Sequence, residues 1–364
     1  MLLARRNLAH DRIRLLLSIA GVALSVMLIL LLSGYLAGIY RQASAYLENA
    51  PGSIVVAQSG VRTFAGSSSF LSTEVLDAVR ATPGVEHAIP IVIQSAVLEL
   101  HDRKEIASLV GYDAALGGGP WDLAAGREPT ADDEVALDRV LADQHGITVG
   151  SRLAILDREM TVVGLSNGTS MWIGSYIFAR AEAVQALLRA PGTWSAIFVT
   201  PAPGVSDDEV RTRISLPGVE AYAKTDKIDS DRKGIARIYD APLGLMVAIA
   251  FVVGVLVVGL VIYTATIERR REYGALKAIG MRNRALYRLV ASQALIAAVA
   301  GGLLGAALAF GLGALLVSWR PQFPVAIEPG AVAAALGASL VMAVLAALAP
   351  ARAMARLAPA EVFR

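Results

Sequence analysis

Four stretches without a charged side chain constrain this chain most: Leu15 to Tyr40, Ala241 to Ile267, Leu289 to Trp319 and Pro329 to Ala351. The hydrocarbon core of a bilayer is about 30 Å thick and a helix rises about 1.5 Å per residue, so about 20 mostly apolar residues cross it. Each stretch is long enough. A content of 55% hydrophobic against 18% charged residues agrees with a protein that meets lipid. The first stretch is too long for a signal-peptide core and no small-residue cleavage site follows it, so it reads as a retained helix.

The charges are segregated along the chain. Segments 1–14, 268–288 and 352–364 hold 14 basic and 4 acidic residues, a net +10, whereas 41–240 holds 18 basic and 26 acidic residues, a net −8. Lys and Arg stay on the cytoplasmic side of spanning helices. The expected order is therefore a cytoplasmic amphipathic N-terminus (1–14), a first span (15–40), an extracytoplasmic domain (41–240), a second span (241–267), a cytoplasmic helix and loop (268–288), a third span (289–319), a short outer loop (320–328), a fourth span (329–351) and a cytoplasmic C-terminus (352–364).

Residues 41–240 carry two similar segments. Ser72-Thr73-Glu74-Val75 leads to Pro83-Gly84-Val85-Glu86, and Ser206-Asp207-Asp208-Glu209-Val210 leads to Pro217-Gly218-Val219-Glu220. In each, a Ser suited to an N-cap begins a helix and Pro-Gly ends it before a β-branched strand. Ser206 to Glu209 fits a capping box. With strands expected at Ser53–Ala57 and Ser195–Thr200, the pair suggests two β-α-β units in a ferredoxin-like module. Between them, Glu134 to Asp143 reads as a helix, and Arg152–Leu156 with Met160–Leu165 reads as a hairpin turning at Asp157-Arg158-Glu159. The expected fold is an α-helical membrane protein of four transmembrane helices with an α+β extracytoplasmic domain, a ferredoxin-like porter module plus an inserted β-rich module.

Several chemistries lack a basis. There is no cysteine, and G-x-S-x-G, H-E-x-x-H and Walker A motifs are absent, so nothing suggests a hydrolase or an ATPase in this chain. Four histidines are too few and too scattered for a metal site, although His87 and His101 could face each other across strands. Asn167-Gly168-Thr169 reads first as a turn, and Gly117-Gly118-Gly119-Pro120 as a loop. No catalytic, cofactor-binding or metal residue is expected, and no nucleic-acid partner. The spans carry no ionisable side chain except terminal tyrosines such as Tyr35, Tyr40 and Tyr263, which gives an ion-coupled carrier nothing to work with. Gly301 and Gly305 form a G-x-x-x-G step that lets another helix approach the third span closely.

After the second span the chain reads Glu268-Arg269-Arg270-Arg271-Glu272-Tyr273-Gly274-Ala275-Leu276-Lys277-Ala278-Ile279-Gly280. On a helix, Tyr273, Leu276 and Ile279 with Gly280 fall on one apolar stripe among charges. A basic anchor lying on anionic lipid would read similarly.

At this segment the sequence resembles the FtsX/MacB-like ABC transporter permeases, the type VII or mechanotransmission family, whose second span is followed by a coupling helix of the pattern R-R-x-E-[IY]-G-x-L-[RK]-A-[IL]-G. Ala4-Arg5-Arg6-Asn7-Leu8 with Arg14 and Gly21 at the start, and Pro350-Ala351-Arg352 to Glu361 at the end, are similar to the family as well. The resemblance implies a bacterial inner-membrane subunit that pairs with a second permease protomer, identical or a close paralogue, and docks a cytoplasmic ABC ATPase that binds ATP and Mg. Because the chain starts only a few residues before its first span, that ATPase is expected as a separate chain. The coupling residues implied are Arg269, Arg270, Glu272, Tyr273, Gly274, Leu276, Lys277, Ile279 and Gly280. ATP-driven motion would pass to the outer domain for export or extraction of a hydrophobic, lipid-linked or peptide substrate, with membrane lipid and a periplasmic adaptor or lipoprotein acceptor as further partners. The alternative is a non-transporting signal transducer that controls cell-wall hydrolases, although such relatives have a much smaller outer domain.

Overall fold

The computed structural model describes residues 12–61, 63–64, 69–100, 103–171, 173–279, 281–320 and 322–355. The chain divides into a helical unit, 1–38 with 239–364, and an α+β unit, 39–238.

In chain order, helix α1 (Arg12–Asn49) precedes strands β1 (Ile54–Gln58) and β2 (Leu71–Ser72), then helix α2 (Thr73–Arg80). Strands β3 (Val85–Leu100), β4 (Arg103–Tyr112), β5 (Leu123–Gly126) and β6 (Glu134–Asp138) lead to helix α3 (Arg139–His145). Strands β7 (Arg152–Ile155), β8 (Arg158–Ser166), β9 (Ser170–Met171) and β10 (Gly174–Arg180) lead to helix α4 (Ala181–Leu187). Strands β11 (Thr193–Trp194) and β12 (Ala196–Pro201), helix α5 (Asp207–Arg213) and strand β13 (Val219–Ala223) complete the α+β part. Four further helices follow: α6 (Lys224–Glu268), α7 (Arg270–Ala278), α8 (Asn283–Trp319) and α9 (Pro329–Ala355).

Among the described residues α1, α6, α8 and α9 are long and apolar enough to cross a membrane. Helices α1 and α6 run past the charge-free stretches, because a helix leaving the hydrocarbon keeps its internal hydrogen bonds and needs no apolar side chains to continue. The core of the helical unit is built from small and medium residues: Val22, Val26 and Leu30 of α1, Ala250, Val258 and Ile262 of α6, Ala294, Ala298 and Ala309 of α8, and Ala335, Met342 and Ala346 of α9. Leu245, Leu256, Leu260, Leu303 and Val344 are exposed on the outer faces. That arrangement costs little in lipid, where helix association comes from close packing rather than from the hydrophobic effect.

In the α+β unit, β13, β1, β12 and β3 lie side by side in that order, every neighbouring pair antiparallel. This is the ferredoxin-like order, with α2 and α5 as the two crossover helices and everything from β4 to β11 inserted between its second and third strands. Leu76 and Val79 of α2 and Val210 of α5 pack with Ile54, Val56, Ile197 and Val199 on one face of the sheet. Strand β3 is long enough to serve both modules: Val85–Ile91 pairs with β12, and Val92–Leu100 pairs with β4 of the insert. The sheet then continues through β10, β6, β8 and β5.

Two local expectations are corrected. Glu134–Asp143 is not one helix: Glu134–Asp138 is strand β6, and Asp138 caps α3 by accepting from the Val140 and Leu141 N–H groups at 3.1 and 3.2 Å. Val135, Ala136 and Leu137 are all buried, and such a strand loses the alternation that separates strand from helix. The hairpin turns at Leu156-Asp157, with Leu156 at φ 53°, so β8 already begins at Arg158. His87 is opposite Thr200, while His101 lies outside the described residues. The capping box at Ser206 and Glu209 is formed. Ser72 stands at the N-cap of α2 without a side-chain bond to the helix backbone.

Candidate coupling helix

Helix α7 follows α6 after Arg269, whose N–H still reaches the Ala265 carbonyl at 3.4 Å while its own carbonyl accepts from Tyr273 N–H at 3.0 Å. The two helices are therefore joined by nearly continuous hydrogen bonding, which ties the orientation of α7 to the end of α6. An ion pair between Arg14 and Glu268 links α1 to the same end. Arg14, Ser18, Thr266, Arg269, Tyr273 and Gln293 line a small cleft of about 50 Å³ there.

The faces of α7 are distinct. Tyr273 is 3% exposed and sits in the bundle core with Ile262, Leu286 and Val290; Gly274 beside it is also buried. Burial pushes the Tyr273 hydroxyl up, with Arg269 working against that shift. Glu272 and Ala275 are exposed, and Ile279 is 85% exposed just past the helix end. Residues 272, 275 and 279 share one helical face, at spacings of three and four.

The single apolar stripe read from sequence is thus divided. Tyr273 does not belong to an outward docking face, because its ring completes the chain's own core, whereas Ile279 faces out. Periodicity places residues on a common stripe but does not say which edge of the stripe meets the body of the protein. The backbone of Leu276 and Lys277 belongs to α7, but their side chains, that of Arg270 and all of Gly280 lie outside the described residues.

The glycine step of α8 faces α1 of the same chain. A Cβ on Gly301 would stand 2.6 Å from Val22 Cβ and 2.7 Å from the Ile19 carbonyl oxygen; one on Gly305 would stand 2.5 Å from the Ala23 carbonyl oxygen. Two other close approaches have no spacing motif: Gly21 against Val257, and Gly254 between Ser25 and Met342. Isolated glycines in apolar runs carry no signal until the facing helix is known.

Residues 15–215 match the MacB-like periplasmic core domain, and residues 244–359 match the FtsX-like permease C-terminal domain. The chain belongs to this family of ABC transporter permeases. An uncharacterized ABC transporter permease from Mycobacterium bovis is 26% identical over 369 residues, covering 99% of this chain and 98% of the relative. The macrolide export ATP-binding/permease protein MacB of Burkholderia lata is 33% identical over 121 residues, covering 33% of this chain and 18% of that protein. The periplasmic region of MacB from Actinobacillus actinomycetemcomitans aligns over 52% of this chain and 95% of its own length, with 13% identity and a TM-score of 0.38. The extracellular domain of YknZ from Gram-positive bacteria aligns over 47% of this chain and 98% of its own, with 11% identity and a TM-score of 0.37. This permease is a multi-pass membrane protein whose helix α7 falls inside the FtsX-like segment.

Proposed function

We propose that this permease is the membrane subunit of an ABC transporter that receives ATP-driven motion from a separate cytoplasmic ATPase through α7 and passes it to its α+β domain, for export or extraction of a hydrophobic, lipid-linked or peptide substrate. ATP and Mg belong to the ATPase. A second permease protomer completes the complex, and both termini face the cytoplasm. An adaptor or lipoprotein acceptor and membrane lipid are further partners in this reading.

The observation that carries it is the bare Ile279 just past the end of α7, with Glu272 and Ala275 exposed on that helix and Tyr273 anchoring its inner side. A helix laid in a groove derives most of its affinity from a few buried anchors, and a rigid base lets a push on it move the span to which it is joined. The charge partition supports the orientation, since α7 lies in the most basic part of the chain.

Replacing Ile279 with Asp places an unpaired charge in the contact and costs several kcal/mol of docking, on the order of 3. ATPase co-purification and permease-stimulated ATP hydrolysis should both fall, while Arg270→Glu should do less harm to docking. The reverse order, with Ile279→Asp silent and Arg270→Glu damaging, indicates a lipid-lying anchor and rejects the docking role.

A further inference from the structure

The α+β unit contains a cleft of about 330 Å³ that the coupling reading does not use, lined by residues of β3, β4 and the first part of α6 and by residues near Thr63 and Met171. One wall is the sheet, where Ser95 of β3 stands opposite Ser108 of β4, and the other is the first part of α6. Ile106, Ile173 and Ile238 form a half-open apolar rim, each between 45% and 60% exposed, while Ile235 is buried.

The polar groups of the cleft are few: Ser108 and Asp231 are buried, while Ser95 is exposed. On a sheet face that otherwise carries Ile93, Val97, Ile106 and Val110, the Ser95 and Ser108 hydroxyls meet each other at 3.3 Å. A hydroxyl pair uses one donor and one lone pair on itself, which leaves one donor and several lone pairs for a third group. Asp231, 3% exposed, lies at the helix wall and accepts from the Phe64 N–H at 2.8 Å. No Lys or Arg lines the cleft among the described residues. Gly234 opens the helix wall: a Cβ there would find nothing nearer than Thr63 Cγ2 at 3.8 Å. Glycine inside a helix costs about 1 kcal/mol relative to alanine, so the opening is kept at some expense in stability.

We infer that this cleft binds the apolar tail of a neutral amphiphile and takes its hydroxyl or amide end at Ser95 and Ser108. The volume holds roughly ten groups of water or methylene size, enough for a medium-length alkyl chain with one polar end. A carboxylate or phosphate head would enter apolar walls with no cation among the described lining residues, which disfavours an anion. Ile238 lies three residues before Ala241, where the charge-free run of α6 begins. This deepens the transport reading above and rests on it for the ligand's origin, while the binding itself needs no ATPase.

The experiment photolabels the full-length permease in lipid nanodiscs, without ATPase, using an octanol that carries a diazirine, and maps the adducts by peptide mass spectrometry. Saturable labelling of the peptides holding Ile106, Met171 and Ile235 is expected. Unlabelled octanol should protect them, and octanoate should protect at least about tenfold more weakly. Gly234→Leu, whose Cβ would meet nothing nearer than Thr63 Cγ2 at 3.8 Å, should lose about tenfold of the labelling with no fall in melting temperature. Ser108→Ala should shift half-saturation upward, and Ile279→Asp should label like the unmodified protein. Labelling that does not saturate, that is equally protected by octanoate, or that is unchanged in Gly234→Leu overturns the site. The Ile279→Asp arm reads the binding separately from the coupling, so failure of the docking reading leaves this result standing and failure here leaves the docking reading intact.

Discussion

Two substitutions of one kind on one helix should move stability in opposite directions. Replacing Gly305 with Ala puts a Cβ 2.5 Å from the Ala23 carbonyl oxygen and 2.9 Å from Val26 Cβ, where ordinary contact begins at 3.4 Å. The atoms obstructing it are helix backbone and a Cβ, neither of which can swing away, so α1 and α8 must part by nearly an ångström. Overpacking of this size costs about 1–3 kcal/mol, and the separation also loses contacts around Val22 and Val26. Against this stands the better helix propensity of alanine, about 1 kcal/mol. At Gly311 only the propensity remains, because a Cβ there meets nothing within 4 Å. Gly305→Ala should therefore lower the melting temperature and Gly311→Ala should leave it level or raise it, a separation of about 2 kcal/mol, or roughly 2–3 °C for a chain of this size. Size-exclusion chromatography after graded heating in mild detergent reads both. The change belongs to the protomer, so it should be the same whether the protein elutes as monomer or dimer. Equal shifts for the two variants would refute the placement of Gly305 against α1.

Asp138 is fully buried and accepts from Thr169 Oγ1 at 2.7 Å, Ser170 Oγ at 2.9 Å and Ser175 Oγ at 3.3 Å, besides capping α3. Asp138→Ala should cost about 3–5 kcal/mol in denaturant melts, from a lost cap and stranded buried donors, and Asp138→Asn, which keeps one acceptor, should cost clearly less. Lys227 is 1% exposed, and burial lowers its ammonium to about 8, opposed by Asp231 and Glu220. Between pH 8 and the ordinary lysine value the unfolded chain holds the proton and the folded chain does not, so stability should rise with pH over that window, by a few kcal/mol at most; Lys227→Met should flatten the rise in melts from pH 7 to 10. A cysteine label at Arg282 should react from the cytoplasmic side and one at Asp132 from the outside, and the opposite outcome in vesicles would reject the orientation.

Four helices long and apolar enough to cross a membrane were legible in the sequence because hydrocarbon imposes a length and a composition on each helix independently of its neighbours. The ferredoxin-like module was legible through its Ser-initiated helices and Pro-Gly turns, which are local chemistry; in the second of them Ser206 accepts from the Glu209 N–H within one turn. Strand β6 was not, since a strand covered on both faces keeps no alternation, and only the sheet order puts Val135 to Leu137 between β10 and β8. The cleft beside Ser95 and Ser108 was equally invisible: its residues come from β3, β4, α6 and positions 63, 171, 173 and 174, and two serines thirteen residues apart acquire meaning only when register sets them opposite. Helix α7 stands between these cases. Its existence and its polar and apolar stripes follow from spacing within nine residues, but tertiary packing decided that Tyr273 turns inward and Ile279 outward, because a helix fixes the angles between its own side chains and leaves its rotation to whatever it packs against.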